Sequence, residues 1–124
     1  TYMTRHGAGP FPTEDSALAY PDDTNVPHDF QGTLRFGHLA IDLLADAVRN
    51  DLREAKDMQV NVGLAVTHMD QVSNGGAIVK ALVEELSPSR LYLSHGPKRS
   101  DVQRVCENCR VAINGGTRCT DCGG

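Results

Sequence analysis

The sequence predicts an α/β fold: a mostly parallel sheet with flanking helices, followed by a small metal-binding tail. Three observations predict it. Two apolar strand-like runs are separated by a helical pattern, a longer amphipathic pattern precedes them, and all four cysteines lie near the C-terminal end. The 124 residues, 40% of them hydrophobic, fit one modest domain with a core.

Composition narrows the class of protein. The net charge of −4 argues against broad binding to nucleic-acid phosphates. No apolar run approaches the roughly 20 residues of a membrane span, and no signal peptide is visible. We therefore expect a cytoplasmic protein without a membrane partner. The chain opens on Thr1 without a start-like character, which favours a fragment or one half of a split protein.

The first half divides into a loop region and a helix. Residues 1–37 contain most of the Pro, Gly and Asp breakers, so an irregular and functional segment is expected there. Residues 38–56 predict an amphipathic helix, because apolar residues recur at spacings of three, four and seven. These residues are Leu39, Leu43, Leu44, Ala47, Val48 and Leu52.

The second half reads as strand, helix, strand. Residues 59–67 alternate like a buried strand, Asn74 is placed to cap a helix that Pro88 ends, and residues 91–94 form a second short strand. The connection is long enough for a right-handed parallel crossover. The loops THMD (67–70) and SHGP (94–97) then follow the carboxyl ends of both strands, where open α/β sheets bind ligands.

Asp70 is the main chemical candidate in these loops. A carboxylate held there can accept two hydrogen bonds from N1–H and the 2-amino group of guanine. Ser94 and the backbone of 95–97 could contact the other edge of the base. The alternative is that Asp70 only caps a turn.

Four stretches, in order, resemble the C-terminal part of the adenylosuccinate synthetase family. They are TRHGAGPFPTE (4–14), FQGTLRFGHLAIDLLADAV (30–48), LAVTHMD (64–70) and LSHGPKR (93–99). The resemblance covers about residues 1–105, and GPFPTE is its most specific piece. It argues against a phosphohistidine enzyme with Arg5-His6-Gly7 as its signature, since residues 1–4 also make a poor strand and GPFPTE has no place in such a site.

The resemblance implies a P-loop-like synthetase fold and a role in purine nucleotide biosynthesis. The family joins L-aspartate to a 6-oxopurine nucleotide, such as IMP or dGMP, at the expense of a nucleoside triphosphate. The implied base-binding residues are Thr67, His68, Asp70, Ser94, Gly96 and Pro97. The implied substrate-binding residues are His6, Gly7, Gln31, Gly32, Thr33 and Arg35. Arg35 suits a substrate carboxylate, because guanidinium binds carboxylates bidentately; a surface salt bridge is the alternative.

The sequence departs from the family pattern at several positions. His6 replaces a common valine, Thr33 a usually basic residue, His38 a common tryptophan and His68 a lysine, so the choice between a guanine and an adenine donor stays open. A divergent branch acting on 2-aminopurine deoxynucleotides is one origin for such a chain.

The family's glycine loop, catalytic residues and magnesium ligands have no counterpart in these residues. We therefore expect the chain alone to carry recognition without catalytic residues. Magnesium and GTP or ATP would act only in the complete enzyme. The resemblance implies a complementary N-terminal chain and a second copy in a homodimer as partners. The alternative is a non-catalytic nucleotide-binding or zinc-mediated interaction protein.

The tail predicts a zinc ribbon. The sequence divides into a synthetase-like region, 1–104, and a tail, 105–124. Two Cys-x-x-Cys pairs, with a small hairpin expected between them over 111–118, suit one structural zinc ion that would supply the tail's folding energy. The ligands are Cys106, Cys109, Cys119 and Cys122. Disulfides are the alternative, disfavoured in a cytoplasmic setting, and the tail is the part that leaves nucleic-acid binding open.

Overall fold

A computed structural model describes residues 1–22 and 24–106, and the backbone of residues 112–113. The chain divides into two compact units, Thr1–Ala40 and Ile41–Gly124. Unit 1 contains β1 (Tyr2–Arg5) and β2 (Arg35–His38). Unit 2 contains α1 (Ile41–Glu54), β3 (Gly63–Val66), α2 (Gly75–Leu86), β4 (Arg90–Ser94), a 3-10 turn (Arg99–Asp101), β5 (Val102–Val105) and β6 (Ala112–Ile113).

Unit 1 is built on an antiparallel pair. β1 and β2 pair from Tyr2 opposite His38 to Arg5 opposite Arg35. The prediction of irregular structure holds for most of residues 6–34, but it is wrong at residues 2–5 and 35–37. Tyr2 explains why a poor strand sequence forms a strand: its ring stacks on Tyr20 at 4.1 Å and meets Phe36 edge-on at 5.8 Å.

The GPFPTED segment lies along β2. The N–H of Asp15 donates to Phe36 at 3.0 Å, and the N–H of His38 donates to the carbonyl of Thr13 at 2.9 Å. Gly37 allows this approach, because a Cβ at that position would stand 2.6 Å from the Thr13 carbonyl oxygen. The most specific motif of the sequence therefore has a structural role, because it pairs with β2 through main-chain hydrogen bonds and an antiparallel bridge between Glu14 and Gly37.

Unit 2 contains the predicted parallel pair. β3 and β4 run parallel, from Gly63 opposite Arg90 to Val66 opposite Leu93, with α2 as the connection. The predicted parallel pairing is confirmed, although β3 is shorter than the predicted strand over 59–67. The expectation of a mostly parallel sheet is wrong for the described strands, because β4 pairs antiparallel with β5 and β5 pairs antiparallel with β6. β5 was not predicted. It pairs antiparallel with β4 and with β6. The boundary that was predicted between residues 104 and 105 therefore lies inside β5, and not between two domains.

The core of unit 2 contains residues of both helices and of β3, β4 and β5. Its most buried apolar residues in the described part of the chain are Ala45, Val66, Leu82, Leu91, Val105 and Cys106. The predicted helix over 38–56 is confirmed as α1 but is shorter, from Ile41 to Glu54, because His38 belongs to β2. Its apolar stripe is not fully buried: Leu43 is 56% and Leu52 37% exposed. No helix among the described residues is both long and apolar enough to cross a membrane.

The ends of α2 differ partly from expectation. Asn74 occupies the N-cap position, but its side chain makes no capping hydrogen bond; its carbonyl instead accepts from Ala77 and Ile78 at 3.0 and 3.2 Å. At the other end, Ser87 adopts a left-handed conformation, and its N–H donates to Val83 at 3.0 Å. Pro88 then follows, as expected.

Candidate functional site

The loops that follow β3 and β4 lie side by side. The N–H of Met69, in the THMD loop, donates to the carbonyl of Ser94 at 3.0 Å. This contact follows from the parallel pairing, which ends both strands at one edge of the sheet. The predicted convergence of the two polar loops is therefore present in the structure.

Met69 anchors the THMD loop by its side chain as well. A Cβ on Gly75, the first residue of α2, would stand 2.9 Å from the Met69 methyl carbon, so the thioether lies directly against the helix start. The N–H of Gln71 closes the turn on the carbonyl of His68 at 3.2 Å. With Met69 held inward, its neighbours His68 and Asp70 are exposed.

His68 has an unusual backbone. Its φ is 58°, the left-handed region that few non-glycine residues adopt, though histidine is among those that tolerate it. Its Nδ1 lies 3.0 Å from the hydroxyl of Thr67. The backbone turns sharply at this residue, and such conformations are often retained where a loop serves a ligand.

Asp70 is open to solvent. Within residues 1–22 and 24–106 its carboxylate makes no hydrogen bond and no ion pair, so it does not cap a turn there. An ionised carboxylate is an acceptor with room for two donors on one edge. The arrangement leaves Asp70 available to the paired N–H groups of a guanine-like edge.

The SHGP loop is held by a residue that the sequence analysis missed, Asp101. Its carboxylate accepts from the N–H of Lys98 at 2.9 Å, and its carbonyl accepts from the N–H of His95 at 2.9 Å. A Cβ on Gly96 would stand 2.5 Å from the same carboxylate. Ser94 uses its hydroxyl within the loop, donating to Gly96 at 3.0 Å. Pro97 follows, exposed.

Unit 1 brings several of its predicted substrate residues together. Gly7 has a φ of 75° and donates its N–H to the carbonyl of Gln31 at 3.2 Å, which joins the TRHG stretch to the QGT loop. Gly32, with a φ of 65°, turns that loop, and Thr33 is exposed on it. His6 places Nε2 3.1 Å from the side-chain oxygen of Asn25.

Arg35 is engaged inside unit 1. Its Nε and Nη2 donate to the two carboxylate oxygens of Glu14 at 2.7 and 2.5 Å, and its Nη1 donates to the carbonyls of Gly7 and Gly9 at 2.7 and 2.8 Å. The hydrogen bonds from Arg35 hold the pKa of Glu14 below its usual value, and Glu14 raises the pKa of Arg35. The structure thus shows the salt bridge that was the alternative for Arg35; its role toward a substrate carboxylate stays a prediction.

The predicted zinc site falls largely outside the described residues. Cys106 is buried at the end of β5, 3% exposed, whereas Cys109, Cys119 and Cys122 and most of the expected hairpin over 111–118 lie beyond the residues that the structure describes. Within the described ranges no group of three or more His, Cys, Asp or Glu residues could hold a metal ion. The zinc ribbon stays a prediction.

Two open cavities of unit 2 lie away from the paired loops. One, of about 500 Å³, lies over the amino ends of β3 and β4 and is lined by Asn61, Gly63, Ser89, Arg90 and Tyr92. The other, of about 340 Å³, lies between α1 and α2. The paired loops form an exposed edge, at which Thr67, His68, Asp70 and Pro97 are open to solvent.

Comparison of the chain with protein-family models, with curated proteins and with solved structures found no match.

Proposed function

We propose that this chain is the recognition part of a ligase resembling adenylosuccinate synthetase, and that the edge formed by the loops after β3 and β4 binds a purine base. The hydrogen bond from Met69 to Ser94 carries the proposal, because it holds the two loops as one surface. The four stretches that resemble the synthetase family, in the same order, suggest that the ligand of this surface is a purine base.

Asp70 is the selective group in this proposal. Its carboxylate accepts N1–H and the 2-amino group of guanine, and the charge-assisted pair favours guanine over hypoxanthine, which lacks the 2-amino donor. His68 stacks on the base in place of the lysine stem that the family uses. The loop backbone from Ser94 to Pro97 lines the other side of the base.

Calorimetry on the purified chain tests this proposal. GTP is titrated against the chain and against Asp70→Asn, which keeps the side-chain volume and removes the charge. Asp57→Asn is the matched control, because Asp57 is equally exposed and makes no hydrogen bond or ion pair within the described residues. We expect Asp70→Asn to weaken GTP binding at least about tenfold and Asp57→Asn to leave it unchanged.

Three further nucleotides sharpen the result. ITP, which differs from GTP only by the 2-amino group, is expected to bind at least about tenfold more weakly. Tighter binding of ATP than of GTP would identify an adenine nucleotide as the donor. Tighter binding of dGMP than of GTP would identify the site as one for a guanine substrate. Equal binding of GTP by the chain and by Asp70→Asn would contradict the role of Asp70, and absence of binding by all four nucleotides would contradict a base site that this chain forms by itself.

A further inference from the structure

We propose that Arg5 is the anion-binding group of unit 1, and that the Glu14–Arg35 pair positions the loop on which Arg5 rests. The ligand group is an anionic oxygen group, either the phosphate of a nucleotide or the carboxylate of an amino acid. The inference rests on the proposed function, because that function supplies substrates with both groups, and it assigns the anion to a residue outside the predicted site.

The engagement of Arg35 is the first step. Four of its five N–H donors are used by Glu14 and by the carbonyls of Gly7 and Gly9, and its positive charge is balanced by the Glu14 carboxylate. Its guanidinium also lies over the ring of Phe11, 5.6 Å from the ring centre. A substrate carboxylate would have to displace Glu14 to reach it.

Arg5 lies opposite Arg35 in the strand pair. The two residues are direct partners in the antiparallel register of β1 and β2, so their side chains leave the same face of the sheet. Two like charges in this position repel each other unless anions neutralise them. Glu14 neutralises one of the two, which leaves one net positive charge on this face.

The guanidinium of Arg5 rests on Gly9. A Cβ on Gly9 would stand 2.6 Å from the Arg5 Cζ and 3.0 Å from its Nε, so the absence of a side chain there makes room for the arginine. Arg5 is exposed and has no acceptor within the described residues. The main-chain N–H groups of Ala8 and Gly9 likewise have no acceptor in the described part of the chain.

These groups form a site for an anionic oxygen group. Arg5 offers a planar set of donors suited to carboxylate or phosphate, and its guanidinium lies against Gly9, whose main-chain N–H has no acceptor within the described residues. Arg35 fixes that loop by holding the carbonyls of Gly7 and Gly9 at 2.7 and 2.8 Å. Arg35 is a positioning residue in this arrangement, whereas Arg5 contacts the ligand.

The test uses the full ¹⁵N-labelled chain, titrated separately with inorganic phosphate and with L-aspartate at constant ionic strength. We expect saturable shifts of the Arg5 Nε–H and Gly9 N–H signals with one of the two probes. Phosphate binding identifies the nucleotide phosphate as the ligand group, and aspartate binding identifies the carboxylate. Absence of saturable shifts at Arg5 with both probes overturns the proposal.

Variants separate binding from folding. Arg5→Gln should weaken binding of the responding probe about tenfold, whereas Arg53→Gln, on exposed α1, should change it less than twofold. Gly9→Ala keeps every charge but displaces the Arg5 guanidinium, so it should also weaken binding of the responding probe. If Arg5→Gln does not fold, Gly9→Ala tests the role of Arg5 in its place. Unchanged binding in Gly9→Ala and in a folded Arg5→Gln overturns the proposal. If GTP still binds at Asp70 in these variants, only the proposed role of Arg5 is wrong, and the proposed base site stands.

Discussion

The two units of the chain are held together by different forces. In unit 2, buried aliphatic side chains from α2 and the sheet, such as Leu82, Leu91 and Val66, form a continuous core. In unit 1, Ala40 is the only buried hydrophobic residue among those described, and it is 8% exposed. The loops there are held by the Glu14–Arg35 pair and by main-chain hydrogen bonds. An irregular segment of many residues can therefore be ordered by charge where a core is small, and its stability then depends on pH.

Loss of a core leucine gives the largest expected effect. Leu82 is 2% exposed, so Leu82→Ala should destabilise unit 2 by about 3 kcal/mol, through lost burial and the cavity left behind. The measurement is the free energy of unfolding from urea denaturation. Leu43→Ala is the matched control on the other helix, since Leu43 is 56% exposed, and it should cost less than about 0.5 kcal/mol. Equal effects of the two substitutions would contradict the assignment of the core.

Close packing of the motif on β2 gives the next effect. Gly37→Ala places a methyl group 2.6 Å from the Thr13 carbonyl, a main-chain atom that cannot move alone, so unit 1 should lose about 2 kcal/mol. Amide hydrogen exchange of residues 1–40 measures the loss. Gly63→Ala is the control, because a Cβ there meets nothing within 4 Å. Unchanged exchange in Gly37→Ala would show that GPFPTED does not lie against β2.

The pH dependence of unit 1 gives a smaller and more specific effect. Glu14 has a pKa lowered from about 4.5 by Arg35, so its stabilising contribution is complete above pH 4.5 and is lost as the pH falls through the lower folded-state pKa. Asp15 acts in the same direction, because the Ala17 N–H and the His38 ring lower its pKa from about 3.8.

Hydrogen exchange of unit 1 between pH 7 and pH 3 measures this dependence. Glu14→Gln should reduce the acid sensitivity and also weaken unit 1 at neutral pH, and the sensitivity that remains is expected from Asp15 and Asp22, whose pKa values are also lowered. Glu84→Gln, on exposed α2, is the control that should leave unit 1 unaffected. The same acid sensitivity in Glu14→Gln and in the unchanged chain would assign it to groups other than this pair.

Unit 2 was more predictable from sequence than unit 1, for physical reasons. Periodic apolar residues specify α1, α2 and β4 locally, and the length of the crossover specifies the parallel pairing, so the convergence of THMD with SHGP followed. The sequence did not predict β5, because VQRV shows little apolar alternation. This strand forms by pairing with β4. Its first residue, Val102, is 45% exposed, so even its apolar ends are not uniformly buried.

The contacts of unit 1 could not be predicted from the sequence in the same way. Glu14 and Arg35 are 21 positions apart in sequence with no regular element that would bring them together, so the pair is a product of the loop's fold. β1 depends on Tyr2 stacking on Tyr20, and these two residues are also far apart in the sequence. Asp101 and Met69 hold the candidate base site through main-chain hydrogen bonds and through the Asp101 carboxylate and the Met69 thioether, and no sequence motif reveals these contacts.

Chemical-shift mapping of GTP binding on the ¹⁵N-labelled chain tests the central claim most directly. The account predicts saturable shifts concentrated in residues 67–70 and 94–97, and their loss in Asp70→Asn. Shifts concentrated instead around the cavity at Asn61, Arg90 and Tyr92, at the opposite ends of β3 and β4, would contradict it and place the ligand at the amino edge of the sheet.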